Sequence, residues 1–134
     1  MARDRTQVHR EKARSYADAG EEFFRSGERE AESRSWNAAG VLLVHAAIAW
    51  ADAVAIQLAG VKSTSDNHQD AVRLLAEVSE GRAGRDEATS HLRRIIDEKT
   101  HVSYMGKSWQ ARDCEVLRKH AERFRLWVMK VIGR

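Results

Sequence analysis

The stretch from Val41 to Leu58 constrains the fold more than any other part of this chain, because it is apolar on every side of a helix and yet carries His45 and Asp52 seven residues apart. A helix with no wettable face belongs at the centre of a bundle, and a polar side chain placed there must find a partner or be strongly penalised. Seven residues are nearly two turns, so both groups project from one side, about 10 Å apart along the axis and too far for a direct hydrogen bond. Each then needs its own partner. The run is long enough to raise a membrane span, but an aspartate near its middle costs roughly 2.5–3.5 kcal/mol on insertion and its alanines return little of that. No membrane is expected.

The remaining composition favours helices throughout. The 134 residues include no proline, and 32% are charged. Alanine, leucine, arginine and glutamate fill the periodic segments, a length and composition that suit one all-α domain with a single core. Cys114 is the lone cysteine, and no charged leader with an apolar core opens the chain, so a reducing, cytoplasmic setting is expected. The formal charge is +3 and the isoelectric point about 9.3. Acids and bases are interleaved through most helices, which argues against duplex DNA as a partner while leaving room for a local RNA or nucleotide patch.

Residues 1–11 read as a flexible N-terminal arm and residues 12–132 as one helical domain. The first helix takes shape from about His9 to Glu32, with Tyr16, Gly20, Phe23, Phe24 and Gly27 on one side. Ser33 or Ser35 caps a second helix, Trp36 to Ala59, which Gly60 stops. After a polar turn over 62–67 a third helix runs from about His68 to Ser79, and Gly81 and Gly84 break it from a fourth, about Asp86 to Tyr104. A turn at Met105–Ser108 leads to the last helix, about Gln110 to Ile132. Short turns between these helices predict an antiparallel up-and-down bundle of four to five helices built around the second one.

The N-terminal helix with Phe23 and Phe24, the segments SWNAAGVLLVHAAIAWADA and SDNHQDAVRLL, and the ending IIDEKTHVSYMGKSWQARDCEVLRKHAERFRLWV together resemble the HEPN superfamily of small helical bundles over about residues 12–132. The resemblance implies a four- or five-helix bundle that pairs as a homodimer. It also implies either an RNA-cleaving toxin within a toxin–antitoxin system or a companion to a nucleotidyltransferase or antitoxin. Active members carry an arginine, four to six residues, then a histidine near the end of the penultimate helix. At that place this chain has Lys99 and Tyr104, and tyrosine, with a pKa near 10, moves protons poorly at neutral pH. A degenerate motif is therefore expected, and with it an interaction or nucleotide-binding module without ribonuclease activity.

A literal match to the motif lies nearby in Arg94 and His101, which share one side of the fourth helix and offer the alternative of a metal-independent ribonuclease. The polar residues of the central helix suggest a cluster of His45, Asp52, His68, Lys99 and Tyr104, either a structural lock or a binding pocket. The six histidines show no pair at the three-to-five spacing of a helical or finger site, and no phosphate loop or nucleophile elbow occurs, so neither metal nor cofactor is expected. Cys114, on the apolar stripe of the last helix, reads as packed and inert. Four tryptophans are more than so small a core is expected to cover, and the alanines of the second helix admit close approach of another helix. Both point towards a homodimer.

Overall fold

The computed structural model describes residues 4–103 and 108–133. They form an all-α bundle of five helices, α1 Ala13–Glu32, α2 Trp36–Ala59, α3 Gln69–Val78, α4 Arg85–Ser103 and α5 Ala111–Ile132. Local chemistry sets several of the ends. Gly60 takes the left-handed conformation at φ 66° and returns its N–H to the Ile56 carbonyl, closing α2. Gln110 and Asp113 make a reciprocal capping box that opens α5.

The N-terminal arm is partly built into the fold, which corrects the expectation for residues 1–11. Arg5–Gln7 (β1) pairs antiparallel with Val61–Ser63 (β2), Thr6 lying opposite Lys62. The Val8 N–H donates to the Gly60 carbonyl at 2.8 Å, and Arg5 meets Glu77 at 2.8 Å. A short 3-10 turn at Arg10–Lys12 then leads into α1. Three-residue strands carry no readable period, so only the return of the chain after α2 supplies the partner.

As the all-round apolar pattern requires, α2 touches each of the other four helices. Leu43, Trp50 and Val54 of α2 meet Leu75 of α3, Leu92 and Ile95 of α4, and Leu117, Phe124 and Val128 of α5 in one core. By length and mean hydropathy α2 would suffice to cross a membrane, and 72% of its most apolar window is buried inside the bundle.

Three of the four indoles are buried, and each of these lies on a glycine. Trp50 rests on Gly20, Trp109 on Gly40 and Trp127 on Gly84, so close that an added Cβ would come within about 3 Å of the ring. Only Trp36 is half-exposed. Trp109 Nε1 donates to the Trp36 carbonyl and Trp127 Nε1 to the Ala83 carbonyl, both at 2.9 Å. Trp50 Nε1 alone is buried without an acceptor among the described residues.

Candidate functional site

One stripe of α2 escapes the packing. Ala38 and His45 are exposed, and Val41, Leu42 and Ile48 are half-buried. His45 therefore corrects the expectation of an imidazole in the dry centre. Its ring lies 5.8 Å from that of Phe23, itself 37% exposed. This is the side of the 24-residue rod that its neighbours leave open. Between α1 and α2 the stripe lines a groove of about 670 Å³, walled by Ala38, Val41, Leu42 and Val102 with Arg29 and Glu30 at its rim.

The polar cluster expected around α2 divides into two. His68 feels the charges of both Lys99 and His45. His68, at the head of α3, is held below the ordinary histidine range first by burial and then by the fields of Lys99 and His45, with Asp66 opposing. Asp52 belongs elsewhere: its carboxylate lies 3.8 Å from Lys62 Nζ on β2, and that ammonium sits 5.2 Å over the Tyr16 ring. β2 occupies the place expected for His68 or Lys99, because the chain runs back along the end of α2 before α3 starts. Burial raises the Asp52 carboxyl from 3.8 to about 6, and Lys62 restrains the rise. Tyr104 lies outside the described residues.

Arg94 and His101 have different surroundings. His101 Nδ1 is 2.9 Å from Glu98 Oε2 and Nε2 is 3.0 Å from the Ser108 carbonyl, while the ring meets Trp109 edge-on at 5.0 Å. Both partners are acceptors, so the imidazolium is the form they favour, and Glu98 followed by the Ser108 carbonyl raises its pKa. An imidazole that donates from both nitrogens has no lone pair left to take a proton. His101 ties the end of α4 to the start of α5.

Arg94 instead adjoins two histidines that the sequence did not single out. His91 Nδ1 on α4 and His120 Nδ1 on α5 are 2.9 Å apart. Their ring centroids are 5.1 Å apart, close to that distance plus two ring radii, so the nitrogens point at each other along the line of centres. One donates and the other accepts. Burial holds both below the usual range; Arg123 and Arg94 lower His91 further against Glu87, while His91, Arg94 and Arg123 lower His120 further against Glu98. The available signal was that each precedes a buried residue of its helix, Leu92 and Ala121, and so borders the α4–α5 seam. Beside this pair lies a cavity of about 350 Å³ lined by Arg94, Asp97, Glu98, Arg112, Asp113 and His120, with Val116 and Leu117 as its apolar floor.

No group of three histidine, cysteine or acidic side chains able to hold a metal occurs among the described residues. Cys114 is buried, and burial followed by the field of Glu115 raises its thiol pKa, the opposite of activation. Comparisons with family models, with characterised proteins and with solved structures gave no match.

Proposed function

We propose that this chain is a HEPN-like helical module that works by pairing with a second copy through the open stripe of α2, without ribonuclease activity of its own. The stripe carries the proposal: the most apolar helix of the bundle leaves Ala38, Val41 and Leu42 accessible along a groove, with Ile48 half-buried further along the same side. A face of small and branched apolar residues on one helix is self-complementary, as a two-fold interface must be. A stable interface needs about 800 Å² from each partner, roughly a tenth of the 7856 Å² this chain exposes. Phe23, 37% exposed, lies beside the stripe, its ring 5.8 Å from that of His45.

The ribonuclease reading through Arg94 and His101 is the weaker one. It requires an imidazole free to accept a proton, and both nitrogens of His101 are engaged. A nucleotidyltransferase or antitoxin remains the kind of further partner that the HEPN resemblance implies.

Sedimentation equilibrium tests the pairing. The wild type is expected as a dimer, and Ala38→Arg, which places a charge on an exposed position of the stripe, as a monomer with an unchanged melting temperature. A monomeric wild type, or an Ala38→Arg protein that stays dimeric, overturns the proposal.

A further inference from the structure

The contact between His91 and His120 limits the protons that the α4–α5 seam can hold. Their Nδ1 atoms face each other at 2.9 Å, so one ring donates an N–H and the other accepts with its lone pair. While both imidazoles are neutral, the donating ring keeps a free lone pair on Nε2, and the accepting ring carries its own proton on Nε2. A first added proton takes that free lone pair and leaves the hydrogen bond intact and charge-assisted. A second has only the accepting Nδ1 to bind. Both rings then present N–H groups across 2.9 Å, and the hydrogen bond becomes a contact between two cations.

The charges around the pair do not offset that second proton. Glu87, Arg94 and Glu98 on α4 and Arg123 on α5 act on the rings, and on each ring an arginine outweighs the glutamate. Glu98 is in addition engaged by His101 at 2.9 Å. Both rings are half-buried, which penalises the charged form further. Leu92 and Ala121, which follow the two histidines in sequence, are fully buried, so helices forced apart at this level admit water to the core.

We propose that His91 and His120 form an acid-released clasp, which holds α4 to α5 while the pair carries at most one added proton and parts the two helices locally when it takes the second. Both histidines bind protons less tightly in the folded chain than in the unfolded one. The stabilisation is therefore complete above the ordinary histidine value of about 6.5 and is lost as the pH falls below it.

The clasp shares no residue with the α2 groove, so its test is independent of the dimer proposal. Nitrogen NMR of the imidazole rings and urea melts of the full chain, both followed from about pH 8 to about pH 4.5, supply it. The pair is expected to titrate in two steps more than about one pH unit apart, and the wild-type urea midpoint to fall across the lower step. Backbone amides flanking His91 and His120 are expected to lose protection from hydrogen exchange at that step ahead of those in α1. The amide of His91→Gln can donate or accept, so this variant keeps a hydrogen bond to His120 in either charge state. It is expected to show a single titration of His120 and to lose most of the fall in urea midpoint. His68 and His101 titrate in both proteins and cancel in the comparison. The NMR titration of the wild type decides on its own should the variant fail to fold. Two histidines that titrate together in one unsplit step, or a His91→Gln protein whose urea midpoint follows the pH as the wild type's does, overturns the proposal.

Discussion

Gly20→Ala tests the packing rule that lets this small bundle bury its indoles. In an ordinary helix interior the change stabilises by about 1 kcal/mol, because alanine surrenders less backbone freedom than glycine. Here the added Cβ would lie under 3.0 Å from Cδ1 and Nε1 of Trp50, against an optimum of about 3.5–4.0 Å for carbon contacts. Trp50 is 0% exposed and has Phe24 at 5.5 Å, so the ring has no vacant direction in which to move. Overpacking at the upper end of its usual range, about 3 kcal/mol, less the propensity gain leaves a net loss of roughly 2 kcal/mol. At this chain length that lowers the melting temperature by roughly 6–10 °C, readable by far-UV circular dichroism. In a Trp50→Leu background the ring is gone, and the same Gly20→Ala change should stabilise by about 1 kcal/mol. A Gly20→Ala protein that melts higher than wild type, or one whose effect is the same in both backgrounds, would refute the reasoning.

Two further outcomes follow from the titrating groups. Asp52 binds its proton more tightly folded than unfolded, so stability falls as the pH rises from about 4 to about 6 and the loss persists above that. Asp52→Asn should therefore stabilise by roughly 1–3 kcal/mol at neutral pH, with the gain vanishing below about pH 4 in denaturant melts; a gain independent of pH would contradict the assignment. His101 has its pKa raised on folding, so its contribution is complete in acid and is lost as the pH climbs through the raised value. Its NMR titration midpoint should lie above the ordinary value of about 6.5, and Glu98→Gln should bring it down; an unchanged midpoint would remove Glu98 as the cause.

Much of the architecture was legible because its determinants are local. The three-and-four spacing that placed the apolar faces of α3 and α5 reads directly from neighbouring residues, as does the left-handed stop at Gly60. How three indoles are buried was not legible, for a non-local reason: Gly20, Gly40 and Gly84 lie far in sequence from Trp50, Trp109 and Trp127, and their pairing is a property of the packed helices. The same holds for β1, whose partner is more than fifty residues away. Of the expected polar cluster, His68 feels the fields of His45 and Lys99, which the sequence had grouped with it. The Lys62 partner of Asp52 was not, since it arises from a strand too short to announce itself.

By itself the sequence determined that this chain makes helices, how many, roughly where they stop, and which of them occupies the middle. Hydrophobic period and glycine geometry act over a few residues and need no knowledge of the rest. Tertiary structure alone decided which side of α2 stays open, that His101 is tied at both nitrogens, and that His91 meets His120 beside Arg94. Those outcomes depend on the rotation of each helix about its own axis relative to its neighbours. That rotation is settled by how all the side chains of the core fit together, and no local pattern encodes it.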